Sequence, residues 1–271
     1  MCGIRTTATF TNFDIQKISY TKRPTSVNKS EIQHFEKQAA NWWHPNASVK
    51  LLRAMNSVRV PLVKDGLIDI ETARKEWADT ATPLTGLKVL DVGCGGGFLS
   101  EALAKLGCEV TGIDASEDLI AIAIYHASQD KTLKNLTYTS TTVENFAVEN
   151  SEQFDAVVAS EVVEHVNNQP EFITNCVKCV KPGGSIFITT INKTIWARII
   201  AIWLGEYVTG LIPKGTHEYQ KLISPKVLED ILKENKCNIR LLRGMWYNIF
   251  TNRWFLAKSC SVFYVLHAVK Q

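Results

Sequence analysis

The sequence predicts an α/β fold, in which a mostly parallel sheet of seven strands is flanked by helices. From Lys88 onward, short apolar runs alternate with segments of helical periodicity, as in parallel strands joined by crossover helices. The first apolar run, 88–92, breaks into alternating glycines, as where a buried strand turns into a helix N-terminus. These glycines are Gly93, Gly95 and Gly97. The second run, 109–113, ends at the carboxylate of Asp114.

The elements follow in order along the chain. Residues 31–55 carry apolar side chains on recurring helical faces and 56–77 continue as helix, which predicts a helical cap before the sheet. The predicted strands are 88–92, 109–113, 136–140, 154–159 and 185–191, then an antiparallel pair at 239–247 and 260–268. Ser116 is the predicted cap of the helix after Asp114, and Ser224-Pro225 opens a later helix.

Composition bounds the class of protein. The chain has 271 residues, 45% of them hydrophobic, and a net charge of +3 that is too small to indicate a nucleic-acid partner. Residues 1–30 hold five basic residues against one acid, Asp14, and are rich in Ser and Thr. Such a leader resembles a mitochondrial transit peptide, the alternative being an N-terminus without order. The main domain is predicted at 31–271.

The seven cysteines are odd in number and irregular in spacing, which indicates reduced thiols in an intracellular compartment. Cys176 and Cys179 form a C-x-x-C without a second pair and lie within a helical apolar pattern. We therefore expect buried core thiols there, and neither a zinc site nor a redox site.

The segment 195–212 is apolar and aromatic, with only Arg198 and Glu206 charged. A membrane span here would separate the fifth strand from the strands that complete the sheet. We expect instead an insertion at 195–220 that meets the membrane interface through 195–214, since Trp and Tyr favour that depth. The alternatives are an ordinary buried helix and a dimer face.

The glycine spacing G-x-G-x-G, with Asp91 two residues before it, resembles motif I of class I S-adenosylmethionine (SAM) methyltransferases. The resemblance implies a loop for the sugar and amino-acid end of SAM. Asp114, some twenty residues on, is then the acid that accepts from the ribose hydroxyls. The alternatives are a nicotinamide-binding unit and a plain strand turn.

The fourth strand runs into the chemistry-bearing segment 160–166, at the sheet edge where such folds bind ligands. Ser160 should lie near the cofactor. Glu161, Glu164 and His165 can converge on a divalent ion, Mg²⁺ by preference and Zn²⁺ or Mn²⁺ otherwise. Alternatively, Glu161 caps the following helix and His165 alone acts as a base.

Several strings resemble the ubiquinone-biosynthesis O-methyltransferase family. They are Phe35-x-x-x-Ala39-x-x-Trp42-Trp43, Asn56-Ser57-Val58-Arg59, Ser160-Glu161-Val162-Val163-Glu164-His165-Val166, Pro213-Lys214-Gly215-Thr216-His217 and Tyr264-Val265-Leu266-His267-Ala268. The resemblance implies SAM contacts by a set of five residues: Arg59, Gly93, Gly95, Asp114 and Ser160. It assigns the magnesium role to Glu161, Glu164 and His165, and leaves either His165 or His217 to accept the proton.

The expected substrates by this resemblance are 3,4-dihydroxy-5-polyprenylbenzoate and demethylated ubiquinol. The expected setting is the matrix face of the mitochondrial inner membrane, as a peripheral protein within a multi-enzyme coenzyme Q complex. Two rivals stay open: a non-catalytic SAM-fold scaffold subunit, and a methyltransferase for another lipid such as a sterol.

Overall fold

The computed structural model describes residues 25–45, 47, 49–197 and 219–271. Its centre is a sheet of eight strands. In chain order these are β1 (Lys88–Val92), β2 (Glu109–Asp114), β3 (Leu136–Ser140), β4 (Phe154–Ser160), β5 (Val180–Ile191), β6 (Cys237–Asn248), β7 (Arg253–Ala257) and β8 (Phe263–Lys270). The spatial order is β3-β2-β1-β4-β5-β8-β6-β7. The first five strands pair in parallel, and β8, β6 and β7 add antiparallel pairs.

All seven predicted strands are present, and the eighth strand, β7, is an addition at the sheet edge. It forms because the chain turns back tightly after Asn248 and pairs Arg253 with it. The predicted fifth strand begins earlier than expected, at Val180, and its pairing with β4 is irregular between Phe154 and Ala156. In the strand order β1 lies between β2 and β4, so the direction of the strand connections reverses between β1 and β4.

The helices flank this sheet. They are α1 (Lys29–Glu36), α2 (Lys50–Ala54), α3 (Asn56–Asp69), α4 (Phe98–Lys105), α5 (Glu117–Ser128), α6 (Val143–Phe146), α7 (Gln169–Cys179), α8 (Ile195–Ala197) and α9 (Pro225–Glu234). Ser116 Oγ accepts from the Leu119 N–H at 3.3 Å, and Ser224 caps α9 ahead of Pro225. Both predicted caps are confirmed.

The prediction of continuous helix over 31–55 and 56–77 is wrong in part. Between α1 and α2 the structure describes one short 3₁₀ turn, Ala39–Asn41. His44 precedes Pro45, and a residue before proline disfavours the helical conformation. At the other end, α3 stops at Asp69 because Glu71 adopts a left-handed φ of 63°.

Apolar side chains alternate between the two faces of the sheet and form a core on each. Leu90, Val157 and Ile188 face α7 and α9, whereas Val89 and Val158 face α3 and α4. Each is at most 2% exposed, so both faces of the central strands are covered. This burial on two sides explains why the strands read as near-continuous apolar runs.

Cys176 and Cys179 lie in the core beside α7 as free thiols. Burial raises the pKa of Cys179 to about 12 and that of Cys176 well above its usual value. The expectation of core thiols is confirmed.

Two sequence predictions fall largely outside the described residues: the leader at 1–30 and the insertion at 195–220. The last residues of the leader pack on the domain, since Val27 pairs with Val166 and the Ser26 N–H donates to Glu144 at 3.2 Å. Within the described ranges, no helix is both long and apolar enough to cross a membrane.

Candidate functional site

A cavity of about 540 Å³ opens at the carboxyl ends of β1, β2 and β4. This is the edge where a parallel sheet presents its loops, and the position predicted for the site. Seven of the eight predicted site residues line it: Arg59, Gly93, Gly95, Asp114, Ser160, Glu161 and His165. Glu164 does not line the cavity and is 1% exposed.

The glycine turn joins β1 to α4 and forms one wall of the cavity. Gly93 has a φ of 70°, and a Cβ there would overlap Cγ2 of Val162 and lie 3.0 Å from its Cγ1. The Gly95 N–H donates to Asp114 Oδ2 at 2.9 Å, and the Ser116 N–H donates to Oδ1 at 2.9 Å. Two backbone donors therefore fix the Asp114 carboxylate at the cavity wall, while burial raises its pKa.

Trp42 and Trp43 pack against the glycine turn. A Cβ on Gly95 would lie 2.9 Å from the Trp42 indole, so this turn accepts no side chain beneath that ring. The Trp43 indole N–H donates to the Gly96 carbonyl at 2.9 Å. The tryptophan pair of the family-like string thus closes the turn by direct packing.

Arg59 is 5% exposed and reaches across the cavity from α3. Its Nη1 donates to Ser160 Oγ at 3.0 Å, and its Nη2 donates to the Leu52 carbonyl and to Asn56 Oδ1, both at 2.6 Å. Burial lowers its pKa to about 10, against the opposing negative charges of Asp91 and Glu161. Arg59 is therefore a cation at neutral pH, held in the site by a network rather than by one ion pair.

Ser160 and Glu161 end β4 and are linked through β5. Ser160 Oγ and Thr189 Oγ1 lie 2.7 Å apart, and Thr189 Oγ1 donates to Glu161 Oε1 at 2.8 Å. Glu161 has a φ of 56°, a left-handed conformation that is uncommon for a residue with a side chain. Such strain is retained where the surrounding structure requires it, and here it turns the chain out of the sheet at the cavity.

Glu164 lies in the 3₁₀ turn Val163–His165, behind the cavity wall. Its Oε2 accepts from Thr190 Oγ1 at 2.7 Å, and its Oε1 has no hydrogen-bond partner. Burial, and then the negative charge of Glu161, raise the pKa of Glu164 well above its usual value. The buried Glu164 carboxyl therefore holds its proton more readily than an exposed glutamate does.

His165 turns the other way. Its Nδ1 lies 3.0 Å from Glu31 Oε2, and Lys221 Nζ lies 3.1 Å from Glu31 Oε1. Phe35 packs edge-on to the imidazole at a centroid distance of 5.2 Å. Burial opposes ionisation of Glu31, but hydrogen bonds and charge from His165 and Lys221 lower its pKa overall.

The structure therefore does not bring Glu161, Glu164 and His165 together as a metal-binding group. No cluster of three or more His, Cys, Asp or Glu side chains in the described part of the chain is arranged to hold a metal ion. Glu164 and His165 are consecutive on a helical turn, so their side chains diverge. The buried Glu164 Oε1, which has no hydrogen-bond partner, is compatible with a cation ligand, whereas the His165 imidazole is directed at Glu31.

Sequence reasoning missed the contacts that complete this site. Glu31 and Lys221 come from segments far from the glycine turn, and no spacing relates them to His165. Thr189 and Thr190 carried a readable signal, since two hydroxyl residues interrupt an apolar strand at its carboxyl end. A polar break at that end of a central strand is a good marker of a binding edge.

The far end of the cavity is apolar and aromatic. It is lined by Leu51, Met55, Trp246, Tyr247, Ile249, Trp254, Val262 and Phe263. Ile249 is also 59% exposed, so the cavity reaches the surface there. One continuous cavity therefore extends from the polar glycine turn to an apolar opening at the surface, which we call the mouth of the cavity.

The sheet order, the glycine turn and Asp114 together define a class I SAM-dependent methyltransferase fold. The family model described as a methyltransferase domain matches residues 68–242. The SAM-bound structure of magnesium protoporphyrin IX methyltransferase from Synechocystis PCC 6803 superposes with a TM-score of 0.59. It is 18% identical, over 92% of this chain and all of that one.

Sequence similarity identifies the particular family. The mitochondrial ubiquinone biosynthesis O-methyltransferase of Rattus norvegicus is 44% identical over 246 residues, which cover 90% of this chain and 70% of that protein. The Dictyostelium discoideum enzyme of the same name is 44% identical over 249 residues, which cover 89% and 77%. The chain belongs to the ubiquinone biosynthesis O-methyltransferase family of SAM-dependent enzymes, and the family resemblance of its sequence is confirmed.

Proposed function

We propose that this protein transfers the methyl group of SAM to a phenolic hydroxyl of polyprenylated catechols and hydroquinols in ubiquinone synthesis. The substrates proposed are 3,4-dihydroxy-5-polyprenylbenzoate and demethylated ubiquinol. The observation that carries this is one continuous cavity lined by the glycine turn and Asp114 and also by aromatic side chains. A polar aromatic head with an apolar tail matches both ends.

The cofactor is proposed to lie along the glycine turn. Asp114 would accept hydrogen bonds from the ribose hydroxyls, because its two oxygens already face the turn and the start of α5. Arg59 and Ser160 would bound the amino-acid end, where the guanidinium supplies a fixed positive charge. Asp114, Arg59 and Ser160 would in this way hold the two polar ends of SAM and leave the apolar part of the cavity for the methyl acceptor.

The substrate hydroxyl must lose its proton, since a free phenol has a pKa of ~10 and is mostly protonated at neutral pH. We propose His165 as the acceptor, because it lines the cavity and its ring is oriented by Glu31. With Nδ1 bonded to that carboxylate, Nε2 is the atom that would take the proton. His217, the other histidine considered, lies outside the described residues.

Magnesium assistance is also part of the proposal. Glu161 and Glu164 would supply oxygen ligands, and a bound divalent ion would lower the pKa of the substrate hydroxyl. The support is the carboxylate pair and the unpartnered oxygen of Glu164. Glu164→Gln is expected to abolish methyl transfer while SAM binding survives; unchanged turnover would contradict the metal role.

The decisive assay is methyl transfer from labelled SAM to a short-chain prenylated catechol, with and without EDTA and with Mg²⁺ or Zn²⁺ added back. Turnover lost with EDTA and restored by metal supports both the substrate class and the carboxylate pair. Turnover that persists in EDTA would support the methyltransferase function, exclude the metal role and leave His165 as the group that accepts the substrate proton. No turnover by protein that binds SAM would overturn the substrate class in favour of the scaffold reading or another lipid.

We further propose a mitochondrial setting, peripheral on the matrix face of the inner membrane, within a multi-enzyme coenzyme Q complex. The support is that the rat and Dictyostelium relatives are named mitochondrial. Contact through 195–214 would bring the mouth of the cavity to the prenyl tail. Subcellular fractionation with carbonate extraction tests this: the protein should be released from mitochondrial membranes, and recovery outside mitochondria would contradict the setting.

A further inference from the structure

The turn between β6 and β7 carries exposed apolar side chains that the fold does not use. Phe250 is 94% exposed and Ile249 is 59% exposed at the turn, and Phe255 and Leu256 on β7 are each nearly half exposed. Neighbouring strand residues point to opposite faces, so Phe255 shares a face with Arg253 and Leu256 does not. We call Ile249, Phe250, Phe255, Arg253 and Lys258 the hairpin patch. A cluster of exposed apolar side chains on one short element indicates a contact surface.

The turn that presents Phe250 is rigid for reasons independent of its ring. Asn248 Oδ1 accepts from the Phe250 N–H at 2.9 Å and from the Thr251 N–H at 3.1 Å. The Tyr247 hydroxyl donates to Asn252 Oδ1 at 2.7 Å across the same turn. Phe250 is therefore held outward by hydrogen bonds of its neighbours, and its side chain is not needed to form the hairpin.

The positive charge around the hairpin patch indicates the kind of partner that it binds. After Glu234 the chain carries six basic residues and no acidic one. Arg243, Arg253 and Lys258, all exposed, lie on β6, at the start of β7 and just past its end. Apolar side chains beside these positive charges suit an anionic lipid surface, where the rings enter the acyl boundary and the cations meet headgroups.

The patch also lies at the mouth of the cavity. Ile249 both lines the cavity and faces solvent. The described start of the apolar insertion is close by, since Ala197 shares an apolar cluster with Trp246 of β6. We propose that the hairpin patch docks on an anionic bilayer and sets the cavity mouth against the lipid, as a contact separate from 195–214. This inference goes beyond the proposed methyl transfer and is tested without turnover.

A second copy of the chain is the competing occupant, because β7 is the last strand of the sheet. The position of Arg253 and Lys258 at the two ends of β7 disfavours it, since positive charge on an edge strand blunts pairing with an identical edge. The test below distinguishes the two occupants.

The experiment is flotation of the full chain with phosphatidylcholine vesicles, with and without cardiolipin. Phe250→Asp is expected to lower the partition coefficient about tenfold on the cardiolipin vesicles. Arg253→Gln is expected to lower it about fivefold on cardiolipin vesicles and little on neutral ones. The matched control is Tyr125→Asp, an aromatic residue 69% exposed on α5 beside β3, at the other edge of the sheet, and it should bind within twofold of the parent protein.

Hydrogen–deuterium exchange with the same vesicles locates the contact. Peptides covering 247–256 should exchange more slowly in the presence of cardiolipin vesicles. Binding by Phe250→Asp equal to the parent, or protection confined to residues outside the hairpin, would overturn the proposal. So would a Phe250→Asp variant that turns a dimer into a monomer while vesicle binding stays unchanged. Each variant must melt at the temperature of the parent protein.

Discussion

At the scale of single residues, the site contains carboxyl groups whose pKa is raised by burial. Asp91 is 2% exposed and accepts from Ser100 Oγ at 2.6 Å, which ties β1 to the first turns of α4. Burial raises its pKa from 3.8 to about 6, although the Ser100 hydrogen bond and the charge of Arg59 act in the opposite direction. Ionisation of Asp91 at neutral pH therefore lowers the free energy of unfolding.

A pH series on Asp91→Asn tests this effect. Because the folded pKa lies above the unfolded one, the folded protein binds the proton more tightly, and stability from Asp91 falls as pH rises from about 4 to about 6. The variant should gain stability relative to the parent across that window, by up to about 3 kcal/mol, with no further change at higher pH. Urea unfolding at each pH measures it, and a difference that is constant with pH would contradict the assignment.

Asp114→Asn should weaken SAM binding at least tenfold. The Gly95 and Ser116 N–H groups hold the carboxylate, and the proposed hydrogen bonds from the SAM ribose to its charged oxygens would contribute about 1.5–3 kcal/mol each. Isothermal titration calorimetry with SAM gives the affinity. Asp118→Asn, exposed in the first turn of α5, is the matched control and should leave the affinity unchanged. Equal affinities for the two variants would remove Asp114 from the cofactor site.

Sequence reasoning succeeds at residues whose role is local and fails at residues whose role is a long-range contact. Asp114 is identified because a strand end and a fixed distance from the glycines place it. The partner of His165 is not, because Glu31 lies 134 positions away and only the packing of α1 brings it within 3.0 Å. The metal role stays a prediction: Glu164 and His165 are adjacent in sequence, but their side chains diverge in the described turn.

At the scale of elements, two loops fit together at the glycine turn. The turn after β1 and the turn after β4 touch through Gly93 and Val162, with no room for a Cβ between them. Gly93 thus has two constraints, a left-handed backbone and a steric one, and they can be separated by comparison with another glycine.

Gly93→Ala should destabilise the protein by about 1–3 kcal/mol more than Gly183→Ala. Gly183 has a φ of 78°, close to that of Gly93, but nothing lies within 4 Å of the Cβ it would carry. The comparison therefore isolates the contact with Val162, and adding Val162→Ala to Gly93→Ala should recover part of the loss. Chemical denaturation measures all three, and equal losses for the two glycine variants would exclude the steric cause.

Which elements the sequence predicts well depends on how they are buried. The central strands read clearly because both of their faces are covered by helices. The edge strand β7 is missed because two of its five residues are exposed large hydrophobics and its first is a charged one, a pattern that also fits a loop. The helical cap is predicted too long because its apolar pattern continues past Pro45 and Glu71, where the backbone leaves the α-helical conformation.

At the scale of the whole molecule, SAM should stabilise the fold strongly, because the cavity is lined from α1, α3, β1, β2 and β4 together. A ligand that binds only the folded state adds about 2.7 kcal/mol at one hundred times its dissociation constant. For a chain of this size that corresponds to a rise in Tm of roughly 5–8 °C. Differential scanning fluorimetry checks this, with Asp114→Asn as the control that should show about half of that rise or less at the same SAM concentration. An unchanged Tm would favour the degenerate pocket of a scaffold subunit.

The topology was predictable as a whole because each parallel crossover has one allowed hand and because the glycine turn fixes the carboxyl edge of the sheet. The shape of the cavity was not predictable, since its apolar end is built by β6, β7 and β8 from the last part of the chain. That end has no motif; it is an accumulation of aromatic side chains that only the antiparallel pairing gathers.

The buried thiols of α7 can report how often the folded protein opens locally. Only thiolates react with alkylating reagents, and Cys176 is 1% exposed with a pKa held well above its usual value. The rate at which Cys176 is alkylated in native buffer therefore measures the frequency with which α7 separates from the sheet. Half-buried Cys260, on the loop before β8, should be alkylated faster than Cys176. The two rates measure a local opening of that loop and an opening of the core in the same sample.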